Sequence, residues 1–499
     1  MTTHVQLLAA FAARCRDEGL PGRVREDVSG RILDVLGNCL AAYAESDADA
    51  APAVLRAALR WNGTEEATAI GSGHRLPAPS AALVNGTLAH ALDYDDTHLP
   101  SVLHPSAPVV PAALAAAEAT GADGTALAAA VAAGIEVCNR LGMASYLPEA
   151  GNSLFFDKGQ HATSICGTLG AAVAAGMLYG LPAQGLADAM GIAASMGAGV
   201  IEANRTGGTV KRVHCGWAAH AGTSAAVLAL EGVTGPPTVL EGRFGFFQAW
   251  LDGRFDAGAL LDGLGERWEL LRTVYKPYPT NHFTHPAIDC ALALRDRLGP
   301  EALAGAEIEL GVPAPVLRTI AEPAEEKASP RSPYHAKFSG PYTVATALLG
   351  SGGGLGVCLD DFAELDPARL ALAARVRCVA DPRATEIFPR AFAAVLRVRL
   401  ADGTCMEHRV DSSRGGPEHP LTGEELARKF RDNARRALSE ERMEALVTAA
   451  RSGAPATTLL PLTTTHPPTT PSSPQTPSDQ TLLERTSADQ APADQMTTI

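Results

Sequence analysis

The stretch ATSICGTLGAAVAAGMLYGL, residues 162–181, is apolar on nearly every side of a helical wheel and is punctuated by glycine instead of charge. A helix of that kind has no face to give to solvent, so it has to be buried among other helices. Four further stretches read the same way: ILDVLGNCLAAYA (32–44), AALAAAEAT (112–120), TALAAAVAAGIEVCNRLG (125–142) and AAHAGTSAAVLALEG (218–232). Hydrophobic residues are 46% of the 499-residue chain but aromatic residues only 5%. The apolar content is therefore alanine, leucine and valine, which suits helices in close approach better than a β-sandwich. No stretch is apolar for long enough, free of polar breaks, to read as a membrane span.

The pattern changes near residue 273. AEIELGV (306–312), RVRCVAD (375–381) and AVLRVRLADGTCMEHRVD (394–411) alternate apolar with polar, and Asp402-Gly403 in the last is a two-residue hairpin signal. Helical stretches at 285–298 and 340–350 lie between them. Helical periodicity returns over 422–451, where Thr422 and Glu425 have capping-box spacing. The expected fold is mainly α: a large discontinuous helical domain, 1–272 and 412–453, with an inserted smaller α+β lid domain, 273–411. From 454 to 499 a proline, threonine and serine tract has almost nothing to bury and is expected to be disordered.

A net charge of −14 argues against nucleic acid and anionic membrane as partners, since both require a basic face. The nine cysteines are scattered without a C-x-x-C pair, which suggests small core residues in a reducing compartment. The first helix carries acidic residues and only a short apolar patch, unlike a secretory signal or transit peptide. A cytoplasmic protein acting on a small molecule is expected.

Nine of the fourteen histidines lie between residues 90 and 335, in short polar passages that interrupt the apolar helices. These are HALDYDDTHLPSVLHP (90–105), DKGQHATS (157–164), NRTGGTVKRVHCGWAAHAG (204–222), YKPYPTNHFTHP (275–286) and SPYHAKFSGPY (332–342). Any one of these histidines alone reads as an ordinary structural residue. Five passages together read as a site. Asp93, Asp96 and Thr97 fall at the end of a helix, and Pro100 and Pro105 force an irregular loop that carries His104. Lys211 and Arg212 precede a helix expected to start near Gly216, a plausible place for a carboxylate. Lys276 is held between Tyr275 and Pro277. His282-x-x-His285 has conceivable metal spacing, but H-E-x-x-H and an acidic third ligand are missing, so no metal is expected. Lysines and an arginine bind carboxylates, and histidines with an aspartate move a proton next to one. Elimination, isomerisation or decarboxylation of a small polycarboxylate fits these parts. Hydride transfer and serine-hydrolase chemistry do not, for want of the glycine pattern and the G-x-S-x-G elbow.

In their order and separations, HALDYDDTH, LHPSAPVVPAALAAAE, GQHATSICGTLGAAVAAG, GTVKRVHCGWAAHAG, VYKPYPTNHFTHPAID and AKFSGPYTVATALL resemble the MmgE/PrpD family over about residues 5–455. The family includes 2-methylcitrate dehydratase, cis-aconitate decarboxylase and an iminodisuccinate epimerase. The resemblance implies a homodimer with no metal or organic cofactor. It implies catalytic roles for Asp93, His104 and His161, and substrate binding by Thr97, Lys211, Lys276, His282 and Tyr342. His90 and His98 are expected to be structural or supporting. Two positions depart from the family pattern: Thr97 to His104 is one residue longer than in the decarboxylase branch, and the histidine expected five positions after Lys276 is Asn281, with His282 following. The expected activity is 2-methylcitrate dehydratase-like elimination. Decarboxylation of the cis-aconitate type and epimerisation are alternatives using the same acid/base groups, and a non-catalytic dimeric scaffold is a remote one.

Overall fold

The computed structural model of the chain describes residues 2–45, 50–147, 152–203, 208–350 and 352–465. The apolar stretches are helices packed on one another: α1 (Gly22–Ala44), α2 (Ala78–His90), α3 (Ser106–Thr120), α4 (Gly124–Ala144), α5 (Ala162–Leu178) and α6 (Val210–Leu230). Every residue of α5 is buried, as its lack of a polar face requires. The small residues are what let the backbones approach. A Cβ on Gly134 would lie 2.6 Å from the Gly170 carbonyl, where α4 crosses α5. One on Gly216 would run into Leu83 O and Thr87 Oγ1, where α6 crosses α2. Among the described residues α4 has the length and hydropathy of a membrane span, and most of it is buried against other helices.

A second apolar cluster, running from Tyr275 to Met406 with Leu421, is separate from the one the first six helices share. It surrounds α7 (His285–Arg295), α8 (Gly340–Leu349) and a four-stranded sheet of β1 (Glu307–Val312), β2 (Val376–Ala380), β3 (Ala394–Arg399) and β4 (Cys405–Val410). The strand order is β4-β3-β1-β2, with β1 and β2 parallel and the other pairs antiparallel. The β3–β4 turn is longer than the two residues expected. Leu400 and Thr404 still pair, leaving Ala401–Gly403 as a three-residue loop with Gly403 at φ 88.

The helical periodicity expected over 422–451 is carried by two helices, Gly423–Ala434 and Glu440–Arg451. The first, α9 (Gly423–Ala434), is started by the Thr422/Glu425 capping box and packs on α1. Residues 454–465, assigned to a disordered tail on composition, are ordered: Ala456–Leu462 is helical with Leu459 and Leu460 buried, and Thr465 donates to Gly71 O. The remainder of that tail, 466–499, lies outside the described residues.

One short ladder matters more to the site than the sheet does. Thr97–His98 pairs antiparallel with Thr273–Val274, which brings the loop after α2 beside the segment carrying Lys276.

Candidate functional site

The loop after α2 is fixed at nearly every residue. Asp96 accepts hydrogen bonds from Ser106 N (3.3 Å) and Ser106 Oγ (2.5 Å) at the start of α3, and from Arg31 Nη1 (2.9 Å). The Tyr94 carbonyl accepts from Asn38 Nδ2 and Lys429 Nζ, and its hydroxyl donates to Pro277 O at 3.0 Å. His98 is buried between Ser101 Oγ (2.6 Å) and Glu269 (3.4 Å), a structural role. Asp93 lies among these anchors at φ 56, a left-handed conformation that aspartate tolerates better than most residues.

Cations converge on Asp93. Lys276 Nζ donates to its backbone carbonyl (2.8 Å) and lies 3.3 Å from Oδ2, while Lys211 Nζ is 3.9 Å from Oδ1. Burial, the largest influence on the Asp93 carboxyl, favours its protonation, but Lys276, Lys211 and His104 outweigh it and hold the group below the usual carboxylate range. Lys211 is also governed first by burial, which disfavours its charge; Tyr334 and Asp93 outweigh that and raise it. Lys211 belongs to the first turn of α6, which starts at Val210, six residues before the expected start. Of the glycine pair before it, Gly208 is described and Gly207 lies outside the described residues.

Beside these cations four imidazoles stand in a row. Ring centroids are 5.5 Å apart for His104 and His90, 5.7 Å for His90 and His161, and 5.2 Å for His161 and His214. His90 Nδ1 is 2.7 Å from Asp95 Oδ2, and His161 Nδ1 is 3.1 Å from His214 Nδ1. His104 Nδ1 donates to Asp96 O at 2.6 Å, with Thr97 Oγ1 at 3.3 Å, which leaves Nε2 to accept a proton. Burial pushes His104 and His214 down to about 4 and holds His161 well below the usual histidine range. His282 is buried, and among the described residues neither of its ring nitrogens has a hydrogen-bond partner; its ring is 4.5 Å from that of His285.

Of the residues expected to form the site, Asp93, Lys211, Lys276 and His104 interact directly, and Thr97 supports His104. His161 joins through the imidazole row. His282 feels the charges of Lys276, His104 and Asp93. Tyr342 is not with them. As the third residue of α8 it is fully buried in the second apolar cluster, where its hydroxyl accepts from Asp366 N at 3.1 Å. The tyrosine near the cations is Tyr334, whose ring lies 4.1 Å under the Arg212 guanidinium. Four residues emerge that the sequence reading passed over or set aside: His90, Asp95, His214 and Lys337. All stand in the polar passages already singled out, but spacing within an irregular loop does not tell which side chains turn inward.

Among the described residues His90, Asp95 and Cys215 each offer an atom that could ligate a metal, all within 4.8 Å of one another. The first two already hydrogen-bond each other, and burial raises the Cys215 thiol well above its ordinary range, which makes it a poor ligand. No third ligand joins His282 and His285 among the described residues. A groove of about 880 Å³ lined by Arg23, Arg25, Arg31 and Arg451 includes none of the acid/base residues, so chemistry and not size picks out the site.

The MmgE/PrpD N-terminal domain model matches residues 6–257 and the MmgE/PrpD C-terminal domain model residues 278–452. The chain is similar to the cis-aconitate decarboxylase of Homo sapiens, 34% identical over 385 residues, 75% of this chain and 76% of the relative. It is 32% identical to that of Mus musculus over 75% of each chain. It is 26% identical to that of Aspergillus terreus over 87% of this chain and 90% of the relative.

Proposed function

This chain belongs to the MmgE/PrpD family and is a lyase, and on that premise we propose that it removes carbon dioxide from an unsaturated tricarboxylate of the cis-aconitate type in the pocket around Asp93. The observation that carries the reading is the sharing of one buried carboxylate, Asp93, by two ammonium groups, Lys211 and Lys276, next to a neutral imidazole whose Nδ1 is tied to Asp96 O and whose Nε2 has no partner among the described residues. Such a pocket has positive charge to spare for a polyanion. Dehydratase-like elimination, the first expectation from the sequence, falls to second place because the relatives that cover most of the chain are named decarboxylases.

When a carboxylate leaves as carbon dioxide, the electron pair of the broken C–C bond stays on the organic fragment. The adjacent double bond can pass it toward a carboxylate that remains. The cations holding that carboxylate then bind the transition state more tightly than the ground state, which is what lowers the barrier. A proton must finally reach carbon. In the free protein His104 is neutral, since burial pushes it down to about 4. A polyanion in the pocket favours the imidazolium, so His104 gains a proton as substrate binds and can then deliver it from Nε2. A positioned acid contributes ~10²–10⁴ in rate.

The test is a substrate screen with mass detection, offering cis-aconitate, citrate, 2-methylcitrate and amino-dicarboxylates to the purified protein. Decarboxylation of cis-aconitate alone is the expected result. Loss of water from 2-methylcitrate, with every carbon retained, would replace this reading with the dehydratase one.

A further inference from the structure

Among the described residues Lys337 is a buried cation of the pocket with no carboxylate in ion-pair contact. It is 6% exposed, and the bond its ammonium makes is to the Leu92 carbonyl at 3.4 Å, at the long end of the range. No carboxylate among the described residues lies within 4 Å of it. Lys429, also buried, does have a counter-ion: its ammonium is 2.6 Å from Asp34 Oδ1, with the Tyr94 ring 3.8 Å away. Burying an ammonium without a counter-ion is unfavourable, and a chain that keeps one has a use for it.

The position of Lys337 supplies a reason. Lys337 and Lys276 hold consecutive peptide carbonyls, Leu92 O and Asp93 O, and Asn281 N donates to Lys337 O at 2.9 Å, tying its backbone to the segment that carries Lys276. Burial lowers its proton affinity most, Lys276 and Arg212 lower it further, and Glu45 and Asp93 oppose them. Within 4 Å among the described residues Lys211 and Lys276 share Asp93, Asp95 is taken by His90, and Lys337 has no carboxylate, Glu45 and Asp93 acting on it only from farther away. A ligand with two carboxylates is served by Lys211 and Lys276. A ligand with three also satisfies Lys337.

We propose that Lys337 binds the third carboxylate of the substrate and sets the preference of the site for tricarboxylates over dicarboxylates. This rests on the reading of the pocket as a polycarboxylate site, not on which bond breaks there. Two unreactive probes test it by calorimetry: propane-1,2,3-tricarboxylate, and glutarate, which lacks the middle carboxylate. In Lys337→Met, affinity for the tricarboxylate should fall roughly 10- to 150-fold, the factor matching ~1.5–3 kcal/mol for a charge-assisted hydrogen bond, while glutarate changes by less than about threefold. Lys337→Arg should restore most of the loss. With no ligand, Lys337→Met should unfold at the same temperature as the parent or a higher one, because an unpaired buried charge has been removed. Equal losses for both probes, an unchanged tricarboxylate affinity, no tricarboxylate binding by the parent, or a less stable Lys337→Met protein would each overturn the proposal. Failure to decarboxylate cis-aconitate alongside Lys337-dependent tricarboxylate binding would remove the decarboxylase reading and leave this one standing.

Discussion

At the scale of single residues, the two nitrogens of His104 face different tasks. Nδ1 is tied to Asp96 O, so any proton gained or lost passes through Nε2. The folded protein holds this imidazole near 4, so it is neutral at about pH 7, well above that value. Bound carboxylates raise it, which means that ligand binding takes up a proton and affinity falls as pH rises. Calorimetry of propane-1,2,3-tricarboxylate binding in buffers of different ionisation heat should therefore show proton uptake that His104→Gln abolishes; equal uptake in both proteins would assign the proton elsewhere. The sequence pointed to His104, Asp93, Lys211 and Lys276 because prolines and apolar helices frame them. Tyr342, which the resemblance assigned to substrate binding, is instead buried in the second apolar cluster with its hydroxyl accepting from Asp366 N. The sequence reading set His90 aside, because the Asp95 carboxylate that orients this ring is a neighbour only through the turn of the loop.

At the scale of elements, the pocket depends on how closely two helices cross. α2 ends at His90 and α6 carries Lys211 and His214, and their approach is set at Gly216, where any side chain would meet Leu83 O and Thr87 Oγ1. Gly216→Ala should destabilise the protein by about 1–3 kcal/mol in denaturant unfolding and reduce turnover as well, since it pushes one wall of the site from the other. Gly22→Ala, where an added Cβ meets nothing within 4 Å, serves as the control and should leave both unchanged. Equal effects at the two positions would contradict this account of the crossing. Helix identities were legible because an all-apolar period has few other uses. Their ends were not: α6 starts at Val210, although Lys211 and Arg212 look like a solvated approach to it, because both side chains find partners in the pocket and not in water.

For the whole molecule, the change of pattern near residue 273 marks where the second apolar cluster begins, and the return of helical periodicity after 422 marks where the chain rejoins the first at α9. Lys429 of α9 grips the Tyr94 carbonyl, so a segment more than three hundred residues away in sequence helps to hold the loop that carries Asp93. A chain with a net charge of −14 thus gathers buried lysines in one place, an arrangement with little structural purpose and a clear one for binding a polyanion. On the proposed reaction, this pocket exchanges carbon dioxide for a proton on carbon. Turnover of cis-aconitate in heavy water should then give one carbon-bound deuterium in the product for each carbon dioxide released, at a rate lowered ~10²–10⁴ in His104→Gln. Carbon dioxide without carbon-bound deuterium, or a product that keeps every carbon, would contradict it.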